Sequence, residues 1–249
     1  MKRLLSGGFI VLVSITLWGC SSSNKMAQAI ANPDKVTKLK ISNRHIDSIP
    51  AAIGTLKNLK SLYLFKNGLE SIPEEIGQLT NLETLVISDN NLESIPSSIG
   101  NLTKLKRLSL KYNRLKILPP EIGKLTNLVE LHLENNQLKE IPSETGNLVN
   151  LEFLFLYNNM LYELPAEIGN LTHLKYLIIG RNQLNSLPSE LGNLTGLIEL
   201  NIAHSGPLIT LPGTIRNCKR LEFIYLDSSI ILPYTINSIN ARLQVIFIP

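Results

Sequence analysis

Apolar residues return along this chain at a fixed spacing. In the stretch from Leu82 to Lys104, L-E-T-L-V-I-S-D-N-N-L-E-S-I-P-S-S-I-G-N-L-T-K, with Leu82 counted as position 1, they stand at positions 1, 4, 6, 11, 14, 18 and 21, with Asn at 9, Pro at 15 and Gly at 19. Shifted by 23 residues the sequence overlays itself. The unit restarts at Val36, Leu59, Leu82, Leu105, Leu128, Leu151, Leu174 and Leu197, and less regularly at Leu221 and Leu243. No single unit of this length can bury its own leucines, so a sustained period predicts repeats stacked in one direction around a shared core.

Within the unit, positions 4 and 6 alternate with polar residues and predict the inward face of a short strand. Asn67, Asn90, Asn113, Asn136, Asn159 and Asn182 occupy position 9, where the chain leaves the strand. An amide both donates and accepts, so a ladder of them can satisfy turn backbones that stacking would otherwise bury unpaired. The eight prolines from Pro50 to Pro212 set φ for a turn on the opposite side, and Ile or Leu three residues on, as at Ile76 and Ile99, suits one turn of 3₁₀ helix. Gly54, Gly77, Gly100, Gly123, Gly146, Gly169 and Gly192 follow, and are expected at a place of positive φ.

The pattern L-x-x-L-x-L-x-x-N-x-L resembles that of the leucine-rich repeat family, over nearly all of residues 36–249. The resemblance implies an α/β solenoid, a right-handed superhelix curved into a horseshoe. A parallel β-sheet would line its concave face, and short turns or 3₁₀ segments its convex face. It also implies a non-enzymatic, protein-binding role, similar to bacterial proteins of this repeat type assigned to adhesion or host interaction.

The ends depart from the period. Lys2 and Arg3 precede an apolar run from Leu4 to Leu17, too short for a bilayer span of about 20 residues but suited to an export leader over residues 1–19. Leu17-Trp18-Gly19-Cys20 resembles a bacterial lipobox, which implies that Cys20 is lipidated and that the protein is anchored in the cell envelope, at the outer membrane or surface. The polar run Ser21 to Lys25 reads as a tether, and Met26 to Ala31 as a short helix lidding the first repeat, so that residues 20–35 form a tether and cap. The array then spans 36–220, and residues 221–249 read as a degenerate last repeat with a terminal strand. Around His204-Ser205-Gly206-Pro207 an extra residue enters and Ser205 takes the Asn position, which predicts a local bulge. The last strand has no evident cap, and its edge predicts weak self-association.

Composition narrows the chemistry. Net charge is +4 and falls to +2 without Lys2 and Arg3, a balance that speaks against nucleic acid as partner. Two cysteines, Cys20 and Cys218, make no disulfide framework, and Cys218 at a Leu position reads as a buried thiol. No nucleotide loop, nucleophile elbow or metal-binding pair of histidines occurs, and no cofactor is expected. The one cluster to weigh is Glu130-x-His132-x-Glu134, on the outward face of one strand. It could hold a metal in a hydrolase, but Arg107 and Lys111 stand at the same positions one repeat earlier, and cross-strand ion pairs account for the carboxylates without one.

The outward positions 3, 5 and 7 carry most of the aromatics: Tyr63 and Phe65; Phe153, Phe155 and Tyr157; Tyr176; Phe223 and Tyr225; and Phe247, with Tyr112 at their edge. A core already built of leucine does not need them. Phe153, Phe155, Tyr157, Tyr176 and Ile178 come from consecutive repeats and are expected to form one exposed apolar patch, the mark of a partner-binding surface. The sequence therefore reads as a surface-anchored, protein-binding repeat lipoprotein. The alternative reading is a structural envelope component that binds another bacterial protein or cell-wall glycan.

Overall fold

A computed structural model of the chain describes residues 21–43, 46–207, 209–234, 236 and 239–249. The leader, Cys20, Arg44 and His45 lie outside the described residues. Ten parallel strands follow one another in sequence order in a single sheet: β1 (Lys38–Lys40), β2 (Ser61–Tyr63), β3 (Thr84–Val86), β4 (Arg107–Ser109), β5 (Glu130–His132), β6 (Phe153–Phe155), β7 (Tyr176–Ile178), β8 (Glu199–Asn201), β9 (Phe223–Leu226) and β10 (Gln244–Phe247). One open curved sheet backed by 3₁₀ turns is the solenoid that the period predicts. The apolar positions of successive units merge into one continuous core, most of it fully buried.

Each of the eight prolines, at φ between −71° and −63°, stands directly before a five-residue 3₁₀ turn, from Ala51–Thr55 to Gly213–Asn217. The proline carbonyl accepts the N–H three residues on, as from Ile99 to Pro96 at 3.1 Å. Proline has no N–H to donate, so its ring fixes the entry to the turn at no loss of a hydrogen bond.

The glycines after these turns serve a different end from the one expected. None of the seven has positive φ; the left-handed residues are Asn43, Lys66, Asp89, Tyr112, Asn135, Asn158, Arg181 and His204, at φ of 53° to 57°, all at position 8. Glycine is needed for closeness. A Cβ on Gly100 would lie 2.7 Å from the Glu121 carbonyl oxygen, and one on Gly77 would lie 2.5 Å from that of Ser98, in each case the turn of the next repeat. The 3₁₀ side stacks backbone on backbone, and a methyl group would wedge it open.

The amide ladder forms as its spacing predicts. The Nδ2 of Asn113 donates to the carbonyls of Ile87 and Leu110 at 2.8 Å, and its Oδ1 accepts the N–H of Leu92 at 3.1 Å. Asn90, Asn136, Asn159 and Asn182 repeat the arrangement, buried throughout. Each amide joins two repeats: it bonds a carbonyl of its own unit, and a carbonyl and an N–H of the unit before it. A second, exposed ladder runs at position 23, where Asn58, Asn81, Asn127 and Asn150 donate to the carbonyls of Asp34, Lys57, Thr103 and Thr126 at 2.8–3.0 Å.

At the first repeat, a helix over Ser21–Ala31 places Met26 and Ala29 in the core. The helix lies against the first repeat, and the polar run at 21–25, read as a tether, is part of it. At the other end Ser205 keeps half of the Asn role: its hydroxyl donates to the Ile179 carbonyl at 3.0 Å, while Leu184 N turns to the Ser205 backbone carbonyl. The last unit is also displaced. Gln244 pairs with Phe223 and Phe247 with Leu226, so Arg242, not Leu243, holds position 1. A one-residue slip moves every side chain to the other face of a strand. Phe247 is thus on the core side of β10, not on the concave side, and is 61% exposed, β10 being the last strand of the sheet among the described residues.

Candidate binding face

Because the strands are parallel and in register, equal repeat positions line up in rows across the concave face. Position 3 runs Arg107, Glu130, Phe153, Tyr176, Glu199, Phe223, and position 5 runs Ser109, His132, Phe155, Ile178, Asn201, Tyr225. Neighbouring members are about 4.8 Å apart at the backbone, close enough for rings to lie on one another. They do. His132 stacks on Phe155 at 4.7 Å between centroids and 14° between planes, and Phe153 lies near-parallel to Phe155 at 6.4 Å. Phe153 stacks on Tyr176 at 5.0 Å and 5°. Tyr157 extends the array at position 7 beneath the Arg181 guanidinium, 5.7 Å from the ring centroid. Beside it Gly180 leaves room, since a Cβ there would come within 3.3 Å of the Tyr157 ring.

Phe153, Phe155, Tyr157, Tyr176 and Ile178 do share one patch, but all are half-buried, because the rings cover each other. His132, singled out in the sequence only with Glu130 and Glu134, is part of the stack. What the array presents to solvent is a set of near-parallel rings pre-ordered by mutual contact, with few rotamers left to lose on binding.

The carboxylates beside His132 are engaged as the sequence indicates. Glu130 meets the Arg107 guanidinium at 3.2 Å and Glu134 the Lys111 ammonium at 3.8 Å. The imidazole lies between the two, Nε2 at 3.3 Å from Glu130 and Nδ1 at 3.3 Å from Glu134. A neutral ring donates to one of them at a time. Among the described residues no group of three His, Cys, Asp or Glu is placed to hold a metal ion.

The remaining aromatics form two outlying clusters. Tyr63 and Phe65 sit on and just after β2 and line a hollow of about 450 Å³ with Lys40, Val86, Arg107 and Lys111. Lys38 lies 5.4 Å over the Tyr63 ring. Phe223 and Tyr225 are on β9, parted from Tyr176 and Ile178 by Glu199 and Asn201 of β8. Tyr112 projects 53% exposed at a left-handed turn, its ring 5.9 Å from Lys111. Charge is uneven along the face: β1 and β4 bring Lys38, Lys40 and Arg107, whereas beyond β6 the outward positions 3, 5 and 7 carry Glu199 and Asp227, with Arg181 engaged over Tyr157 at position 8. Burial raises the Glu199 carboxyl above its ordinary range with no positive charge to offset it. Reading the sequence row by row shows why, since Tyr176 stands where a base would pair with Glu199.

Away from this face, Cys218 is buried with Sγ 3.3 Å from the Leu191 carbonyl, and burial pushes its thiol up to about 11. It is an inert core residue, as expected.

Family models described as leucine-rich repeat region match residues 3–114, 52–134 and 96–172, and one described as leucine rich repeat matches residues 173–194. No curated protein matches the chain. Among solved structures, a leucine-rich repeat protein of Leptospira interrogans is 29% identical, with a TM-score of 0.53 over 89% of this chain and 74% of that one. The plant peptide hormone receptor RGFR1, in complex with RGF2, is 34% identical, with a TM-score of 0.76 over 84% of this chain and 35% of the receptor. The ectodomain of the Arabidopsis thaliana receptor kinase GASSHO1/SCHENGEN3, in complex with Casparian strip integrity factor 2, is 27% identical, with a TM-score of 0.70 over 85% of this chain and 29% of that one. The chain thus spans about a third of the length of the two plant receptors.

Proposed function

The chain belongs to the leucine-rich repeat family, and from that premise we propose that it is a lipid-anchored protein of the bacterial envelope that binds a protein ligand on its concave sheet. Cys20 is the proposed anchor. The observation that carries the binding reading is the run of stacked rings from His132 through Phe155 and Phe153 to Tyr176. Side chains that order one another in advance lose little entropy on binding, and aromatics of this kind dominate interface energetics, at about 2 kcal/mol or more for a central one. Charged pairs at Arg107–Glu130 and Lys111–Glu134 border the rings and supply a polar rim. The solved neighbours in complex with RGF2 and with Casparian strip integrity factor 2 support a protein or peptide ligand over a glycan.

The test is to capture a partner with the full chain, then measure its affinity for variants. Phe155→Ser, at the centre of the array, is expected to weaken binding at least tenfold, about 1.4 kcal/mol. Its thermal midpoint should change little, since the ring is outside the leucine core. Exposed Glu140→Ala, away from the sheet, should alter neither. Unchanged affinity in Phe155→Ser would remove the concave array from the binding surface.

A further inference from the structure

We propose that Glu199, between Tyr176 and Phe223, is the receptor for a single arginine side chain of the protein ligand. The inference rests on the concave-face reading and names a specificity element within it. On the strand faces the other carboxylates each have a partner within the chain, Glu134 through one of its two oxygens. Glu130 has Arg107, Glu134 has Lys111, and Asp227 accepts backbone N–H groups of His204 and Ser229. The Glu199 carboxylate makes no hydrogen bond or ion pair among the described residues, although the residue is half-buried.

Its cross-strand neighbours explain both facts. Tyr176 on β7 and Phe223 on β9 flank it in the same row, so apolar rings stand where counter-charges would otherwise lie. They exclude water from a carboxylate that they cannot pair. Aromatic rings attract a cation to their faces, of which Tyr176 has one on Phe153, and a guanidinium is planar, weakly hydrated and able to bond a carboxylate through two N–H groups while stacking on such a face. An arginine meets all three elements at once. The charge of the face agrees, because the outward positions 3, 5 and 7 beyond β6 carry Glu199 and Asp227 and no base, while Arg181 at position 8 is engaged over Tyr157 and the bases of β1 and β4 lie at the other end. Burial, which disfavours the lone carboxylate, also strengthens any ion pair made there.

The probe is Nα-acetyl-arginine amide, with Nα-acetyl-citrulline amide as its uncharged counterpart, titrated into the full chain carrying 3-fluorotyrosine. The Tyr176 resonance is assigned by its loss in Tyr176→Phe and followed by fluorine NMR. A saturable shift with the arginine compound and none with the citrulline compound is expected, with at least fivefold weaker binding in Glu199→Gln. Equal responses to the two compounds, an undiminished response in Glu199→Gln, or no saturable shift would each overturn the proposal. The wider reading fails separately: a partner whose affinity is untouched by Phe155→Ser counts against the binding face, whereas a failed titration with Phe155-dependent capture counts against the arginine site alone.

Discussion

At position 3 of successive strands the side chain meets whatever the neighbouring repeats place beside it, and the outcome is decided pair by pair. Glu130 faces Arg107, whereas Glu199 faces Tyr176 and Phe223. Burial therefore holds the Glu199 carboxyl above the ordinary 4.5, and the sign of its effect on stability follows. Across the carboxylate range the folded chain keeps the Glu199 proton to higher pH than the unfolded chain does. The unfolded state then binds fewer protons, and stability falls as pH rises through that range. Glu199→Gln is accordingly expected to raise the thermal midpoint at pH 7, and the gain should shrink as pH falls below 4.5 and the wild-type carboxyl is neutral in both states. Glu83 is shifted down by the hydrogen bond from Lys106, and Asp227 is also shifted down, its hydrogen bonds from Ser229 and the His204 N–H outweighing burial. Both act in the opposite direction but are common to the two proteins, so they cancel in the difference. A midpoint that is lower in Glu199→Gln at pH 7 would mean that the carboxylate has a stabilising partner.

At the scale of the repeat, the element that transmits order is the position-9 amide, because each one bonds to the strand exit and turn of the unit before it. Asn113→Ala removes the acceptor of Leu92 N and the donor to the Ile87 carbonyl, both buried. Leaving such groups unpaired costs about 1–3 kcal/mol. The comparison is Asn185→Ala, whose amide is exposed and makes no side-chain bond among the described residues, with an expected cost of roughly 0.5 kcal/mol or less. Asn58 would be a poorer control, since its amide bonds to Asp34 in the outer ladder. Equal denaturation midpoints for Asn113→Ala and Asn185→Ala would show that the ladder bears no load. The ladder, the strands and the 3₁₀ turns were legible in the sequence because each depends on residue type at a fixed offset: an amide, an alternation, a proline. The left-handed turn at position 8 was not, because Lys66, Asp89, Tyr112 and Arg181 share a conformation and nothing else. The role of Gly100 was hidden for another reason. Its constraint is a carbonyl of the following repeat, a distance that one repeat read alone does not contain. The site was half legible. Period two put the aromatics on the correct face, but ring-on-ring burial and the inclusion of His132 depend on strand spacing, and the shortened last unit misled the placing of Phe247.

For the whole molecule, the question is how the binding face would be held relative to a membrane. The helix of Ser21–Ala31 includes the first described residue and docks through Met26 and Ala29 on the first repeat. A lipid on Cys20 would then sit next to a packed helix, with little flexible chain between bilayer and solenoid. With strands about 4.8 Å apart, β6 lies some 24 Å beyond β1, so the stacked rings would stand clear of the lipid headgroups. Acyl chains contribute about 0.8 kcal/mol per buried CH₂, and more than one is needed for stable attachment. Cys20→Ala is therefore expected to move the protein from the detergent phase to the aqueous phase in a Triton X-114 partition, while leaving its thermal midpoint unchanged. The opposite end supplies a competing source of detergent affinity, since Phe247 and the 96% exposed Tyr234 are apolar surface independent of any lipid. Phe247→Lys separates the two. If Cys20→Ala remains in the detergent phase and Phe247→Lys leaves it, attachment runs through the open end of the solenoid, and the lipid anchor is wrong.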